Sequence, residues 1–358
     1  MRSISETIAR LKNMAPAAQT GGRDDRLTPM EDVGQNPGAL KAFLHIPADL
    51  APGAPLVVVL HGCTQTAAGY DHGSGWSSLA DRFGFAVLFP EQQRANNPNL
   101  CFNWFSAEDT RRGGGEAASI REMILAAVQR HRLDPTRIFV TGLSAGGAMT
   151  AAMLACYPEL FASGAIIAGL PFGTAAGVPQ ALERMRGNGH DRATLSVKVR
   201  AASAHRGAWP TVSIWHGTAD ATVAASNAAL IVEQWRGVHG VTTSDAAERV
   251  DGHTRRTWRD AAGRAVVEEY AVAGMGHGTP LATSGDEACG TPAAHMIDAG
   301  ISSTYRIAAF WGIVPAVAPP LPGGTRPAPT IGEPRAPARF DPATAITDAL
   351  RAAGLMKG

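Results

Sequence analysis

The sequence predicts an α/β fold with a mostly parallel central sheet and helices on both faces. Three observations predict it. From Leu40 onward, short apolar runs alternate with helical patterns, which is how parallel sheets covered by helices are built. One of those runs, Ile138-Phe139-Val140, leads into Gly142-Leu143-Ser144-Ala145-Gly146 and then into a small-residue helix over 148–157. A Gly-x-Ser-x-Gly in that strand–turn–helix setting is a nucleophile elbow, the mark of an α/β-hydrolase fold. Third, an Asp and a His follow the serine in the chain order that this fold uses, each after a strand.

The elements follow from local pattern. Leu56–Leu60 and 85–89 are continuous apolar runs of strand length and read as buried parallel strands. Between Glu116 and His131, Ile120, Met123, Ile124, Ala127 and Val128 recur at helical spacing. Residues 165–168 and 212–215 are further strands. Residues 254–259 and Ala265–Val272, joined through Asp260-Ala261-Ala262-Gly263, form a hairpin, and 302–310 a closing helix. Residues 170–208 break the rhythm and read as loop with one helical piece around 179–186. A loop that long inside an α/β domain is usually functional, so it is expected to form a lid or substrate wall.

Four segments result. Residues 1–35 are an extension with a short amphipathic helix, in which Ile4, Ile8 and Leu11 share one face. Residues 36–312 are the catalytic domain. Residues 313–342, rich in Pro, Ala and Gly, have the composition of a linker. Residues 343–358 carry a last short helical pattern with Ile346, Leu350 and Leu355.

Composition excludes several function classes. A 45% hydrophobic content is ample for a core. With 32 basic and 31 acidic residues the net charge is +1, which argues against nucleic acid or an anionic membrane as main partner. No apolar run is long enough to span a bilayer. The first residues lack an uninterrupted apolar stretch, so no secretory signal is expected, which points to the cytoplasm. The cysteines, Cys63, Cys101, Cys156 and Cys289, have no C-x-x-C spacing, and the His and Cys spacings make no ligand set; no metal or cofactor is expected.

A serine hydroxyl is a poor nucleophile near neutral pH and needs an imidazole base with an acid to orient it. The 212–215 run ends in His216-Gly217-Thr218-Ala219-Asp220, which puts Asp220 on the loop at the carboxyl end of a parallel strand. The second hairpin strand ends in Gly274-Met275-Gly276-His277-Gly278, which puts His277 on a Gly-flanked loop. Singly, each is an ordinary loop residue; in this order and on these loops, Ser144, Asp220 and His277 read as a catalytic triad. His253 and His295 are weaker rivals for the base, and His216 is expected to brace its loop. The oxyanion of acyl transfer needs two backbone N–H groups. One is that of Ala145, after the nucleophile; Cys63, in His61-Gly62-Cys63-Thr64-Gln65 after the Leu56–Leu60 strand, supplies the other.

These runs, with Cys101-Phe102-Asn103-Trp104-Phe105 and the continuation Gly147-Ala148-Met149, make the chain resemble the PHB-depolymerase family of esterases over residues 38–312. That family holds short-chain poly(3-hydroxyalkanoate) depolymerases and lies close to feruloyl and acetylxylan esterases. The resemblance implies a Cys63–Cys101 disulfide, Trp104 near the mouth of the site, and Gln65 and Trp104 as substrate contacts. It also implies an extracellular setting, where a disulfide persists. The chain departs from the pattern in having neither a signal peptide nor a dedicated polymer-binding domain, and no aromatic in Gly278-Thr279-Pro280 after the His. The expected substrate is therefore a hydroxyalkanoate ester, as oligomer or at a polymer surface, with efficient attack on crystalline polymer in doubt. A feruloyl or acetylxylan esterase is the alternative; a serine peptidase or a non-catalytic binding protein on a hydrolase scaffold ranks below it.

Overall fold

The computed structural model describes residues 26–317. The amphipathic stripe at Ile4, Ile8 and Leu11 and the pattern over 343–358 lie outside them. The chain runs through β1 (Thr28–Pro29), β2 (Lys41–His45) and β3 (Leu56–Leu60), then α1 (Ala67–Ser74), α2 (Trp76–Phe83) and β4 (Ala86–Glu91). It continues with α3 (Gly115–His131), β5 (Ile138–Leu143), α4 (Ala145–Cys156), β6 (Ser163–Ile167), α5 (Val178–Met185) and α6 (Leu195–Ala201). The last part holds β7 (Thr211–Gly217), α7 (Ser226–His239), β8 (Glu248–Val250), β9 (His253–Arg259), β10 (Ala265–Val272), β11 (Thr279–Leu281), β12 (Met296–Asp298) and α8 (Ser303–Phe310).

Ten strands form one sheet in the order β1-β2-β4-β3-β5-β6-β7-β10-β9-β8. The six from β4 to β10 are parallel, and antiparallel pairs close both edges. Alternate residues of each central strand face opposite layers. Leu56, Val58, Val140 and Ile214 pack with Met149 of α4, Ile124 of α3 and Trp235 of α7. Val57, Val59, Phe139 and Trp215 pack with Trp76 of α2 and Tyr305 of α8. Full burial of such a side chain contributes about 1.5–3 kcal/mol, so these two layers hold the sheet rigid. Chain order reverses at β3, which has β4 on one side and β5 on the other. In open α/β sheets the crevice beyond the carboxyl ends at such a reversal is where ligands bind, and His61–Gly62–Cys63 and Ser144 emerge there.

The structure differs from the sequence expectation in three places. Residues 170–208 hold a second helix, α6, besides the expected piece at α5. Leu195 and Val199, one helical turn apart, are buried, and the fully buried Gln234 of α7 donates to Phe172 O (3.1 Å) and Leu195 O (3.0 Å) while accepting from Phe172 N–H (2.9 Å). These contacts dock the segment onto α7. The packed unit also reaches past the 36–312 span: β1 pairs with β2, and Ile313 and Val314 are buried. Finally, α1, α2 and α7 add helices that the apolar pattern had not singled out.

Candidate active site

Ser144 sits at the tip of β5 with φ 57° and ψ −115°, a conformation that strains a non-glycine residue by about 1–3 kcal/mol. Its neighbours explain how the turn is held. A Cβ on Gly142 would lie 2.4 Å from Gly146 O, and one on Gly146 would lie 2.2 Å from Leu60 O, so only glycine lets β5, α4 and β3 approach this closely. Ser144 N–H donates to Ile167 O (2.9 Å) and Ser144 O accepts from Ala148 N–H (2.8 Å), pinning the elbow to β6 and to its own helix. Every residue of α4 is buried, so the helix behind the serine cannot shift.

Asp220 lies two strands along, on the loop after β7. One carboxylate oxygen accepts from Thr222 N–H (2.8 Å) and Val223 N–H (2.9 Å). The other accepts from His277 Nδ1–H (2.7 Å) and lies 3.3 Å from His216 Nε2. Burial alone would raise this carboxyl, but hydrogen bonds from His216 and His277, with their charge, hold it well below the usual carboxylate range. An ionised carboxylate only accepts, so Nδ1 of His277 carries a proton, and in the neutral imidazole Nε2 is then the atom with the lone pair. Among the described residues Nε2 has no hydrogen-bond partner. The two loops are stitched together: Thr218 N–H donates to Val272 O (2.9 Å), Ala219 N–H to Met275 O (3.0 Å) and Gly274 N–H to the Thr218 hydroxyl (2.8 Å). His216 braces its loop as expected, donating from Nε2 to Val223 O (2.9 Å). Neither rival histidine reaches Asp220. His253 bonds Ala299 O and Ala273 N–H, and His295 packs edge-on against His277.

On the other side of the crevice, the Gly62 amide donates to Gln65 Oε1 (2.8 Å), that of Thr64 to Asn99 O (2.7 Å) and that of Gln65 to Gly62 O (3.3 Å). Among the described residues the amides of Cys63 and Ala145 donate to no acceptor; Ala145 opens its helix, whose first-turn amides, those of Gly146 and Gly147 included, lack intrahelical acceptors. Gln65 spends its amide oxygen bracing the loop, a use that the sequence did not suggest. Trp104 is half-buried against Ala148, Leu170 and Val223, with Met185 beside it, an apolar wall next to the serine.

Cys63 and Cys101 are joined by a disulfide, as the resemblance implied, while Cys156 and Cys289 are free. Closing 38 residues of chain stabilises by roughly 3–4 kcal/mol through the unfolded state. Denaturation without reductant is therefore expected to expose two labelled thiols per chain by intact mass, rising to four after reduction. Four without reductant would remove the bridge. Among the described residues no group of three or more His, Cys, Asp or Glu is placed to hold a metal ion, and no helix is long and apolar enough to cross a membrane.

Two buried groups had no signal in the sequence. His61, which accepts from Gln92 N–H at Nε2 (3.1 Å) and bonds Gly62 O at Nδ1 (2.8 Å), is held neutral by burial, its value pushed down to about 4 against the pull of the Gly62 carbonyl. Glu116 is 1% exposed; a charged residue inside a helical pattern normally reads as a solvated face.

Residues 41–259 match the family described as esterase PHB depolymerase. The chain belongs to that family. It is a carboxylic ester hydrolase, and the esterase is 44% identical over 292 residues to poly(3-hydroxyalkanoate) depolymerase C of Paucimonas lemoignei, covering 80% of this chain and 70% of that one. It is 32% identical over 274 residues to acetylxylan esterase A of Aspergillus oryzae, covering 74% of this chain and 87% of the relative. Among solved structures, an acetyl xylan esterase from Aspergillus awamori superposes with a TM-score of 0.64 at 26% identity, over 70% of this chain and 93% of that one. The α/β-hydrolase fold expected from the elbow is the fold of these relatives.

Proposed function

We propose that the esterase hydrolyses short-chain hydroxyalkanoate esters through an acyl-enzyme on Ser144. The observation that carries this reading is the 2.7 Å His277–Asp220 hydrogen bond, which fixes the imidazole tautomer with Nε2 free, on loops at the same sheet edge as Ser144. Ser144 Oγ attacks the ester carbonyl carbon while His277 Nε2 takes its proton. The carbonyl oxygen becomes an oxyanion between the amides of Cys63 and Ala145, where preorganised donors act at full strength. The intermediate collapses, the C–O bond to the alcohol breaks, and His277 returns the proton to the leaving alkoxide. Water, deprotonated by the same Nε2, then frees the acid. Asp220 stays ionised throughout and stabilises the imidazolium.

The substrate class is supported by the depolymerase relative and by the apolar wall of Trp104, Leu170, Met185 and Val223, which suits a short alkyl acyl group and has no charged side chain. A second reading, an acetylxylan-type esterase, keeps the same machinery and is supported by the acetyl xylan esterase likeness. A panel of p-nitrophenyl butyrate, a hydroxybutyrate oligomer, amorphous polymer, acetylated xylan and methyl ferulate separates them. We expect kcat/KM for the hydroxybutyrate oligomer to exceed that for acetylated xylan and methyl ferulate by at least about tenfold, the discrimination that one apolar pocket can give. The reverse order would replace the hydroxyalkanoate assignment with the xylan or feruloyl one.

A further inference from the structure

We propose that Glu116 is a positioning residue whose buried carboxylate, through Gln92 and Asn103, sets the place of the Cys63 amide and of the Trp104 wall. The inference rests on the reading of Cys63 as an oxyanion donor. Glu116 lies in the first turn of α3 and is 1% exposed. Buried carboxylates are ordinarily paired with a cation, yet its partners are three neutral N–H donors. Oε1 accepts from Gln92 Nε2–H and from Asn103 Nδ2–H (2.7 Å), and Oε2 accepts from Asn103 N–H (2.8 Å). The positive end of the α3 dipole adds a fourth favourable interaction for the anion.

Two tethers of the Cys63 loop end at this carboxylate. Along the first, the Gln92 main chain donates to His61 Nε2, and the His61 ring bonds Gly62 O next to Cys63. The Gln92 side chain also donates to Cys101 O (3.1 Å). Along the second, Asn103 lies two residues beyond Cys101, whose sulfur is bonded to Cys63, and directly before Trp104. Asn103 is further fixed by Asn97 Nδ2–H (2.9 Å). Glu116 touches none of Ser144, Asp220 and His277. Burial pushes this carboxyl up to about 8 against the pull of the Asn103 amide, and Asp109, which accepts the Glu116 N–H (3.3 Å), pushes the same way. The anion that accepts all three bonds therefore prevails above that value, and the variant is compared with wild type there. It accepts at once from Gln92, the residue after β4, and from Asn103 in the Cys101 loop.

Glu116→Gln tests this, because it keeps shape and turns one acceptor into a donor that meets Asn103 N–H or the two side-chain amides. The oxyanion contact forms only in the transition state, so the expected result is a fall in kcat with KM within about twofold. Removing an oxyanion donor costs about 10²–10³ in kcat, and displacing one should cost about 10–100-fold. The inhibition constant of an aryl trifluoromethyl ketone, which forms the tetrahedral adduct, should weaken by the same factor as kcat/KM. An unchanged kcat with a lower Tm would reduce Glu116 to a structural residue, and a fall in kcat/KM with an unchanged ketone constant would also overturn the proposal. Should Glu116→Gln not fold, Asn103→Ala removes one donor and keeps the main-chain one; a smaller loss on the same correlated line is expected, and unchanged kcat and ketone affinity would sink the idea. The same assays run on Ser144→Ala keep the premises separate: activity there would fail the acyl-enzyme reading itself, whatever Glu116 does.

Discussion

Ser144→Ala is expected to lower ester turnover by about four to six orders of magnitude, because the members of a triad act as a unit and the residual rate comes from oxyanion binding alone. The fold should be untouched. Alanine keeps the Cβ that already tolerates φ 57°, and both main-chain hydrogen bonds of residue 144 survive. Activity and melting temperature of the purified variant check this together, and a tenth of wild-type activity in a folded sample would remove Ser144 as nucleophile. A phosphonate ester should abolish wild-type activity and add one adduct mass to the peptide carrying Ser144, while EDTA leaves the rate unchanged. Loss on chelation that zinc restores would replace the serine mechanism with a metal one.

The elbow and its two partner loops were legible in the sequence because each is a local pattern in a required order: glycines around Ser144, and Asp220 and His277 each just after a strand. The central strands were legible because continuous runs such as Leu56–Leu60 are buried on both faces. What could not be read depends on tertiary context. The first two helices are eight residues each, broken at Gly75, which ends one and starts the next, so neither shows enough turns to set a period. Leu195–Ala201 carries β-branched Val197 and Val199 and buries only one stripe against Ser226–His239. That last helix did carry a signal: Leu230, Ile231, Trp235 and Val238 recur at helical spacing and are buried. Glu116 had none, since only the fold brings Gln92 and Asn103 to it. The same holds for Gln65, whose use as a brace depends on the direction of the Gly62 amide.

Asp220→Asn is expected to reduce turnover by about 10⁴ without loss of the serine or the base. The amide must present its oxygen to one pair of donors and its NH2 to the other. The main-chain N–H groups of Thr222 and Val223 cannot change what they donate, whereas the imidazole of His277 can change tautomer. The favoured arrangement therefore turns the oxygen toward the main chain and the NH2 toward His277 Nδ1, which then must accept. The ring proton moves to Nε2, and the atom that should receive the Ser144 proton is already occupied. The opposite rotamer would keep the working tautomer but forfeit two main-chain bonds, giving a mild kinetic loss with a large fall in Tm; that outcome would show that Asp220 matters chiefly to its loop. Acid stability adds an independent readout. Because the folded carboxyl is held below its ordinary value of 3.8, it contributes stability that is fully present above that value and is lost as pH falls through the lower folded one. Asparagine has no such dependence. The Tm difference between wild type and variant should thus be largest near neutral pH and shrink below about pH 4, and a difference that stays constant down to pH 2 would mean that His277 and His216 do not stabilise the Asp220 anion.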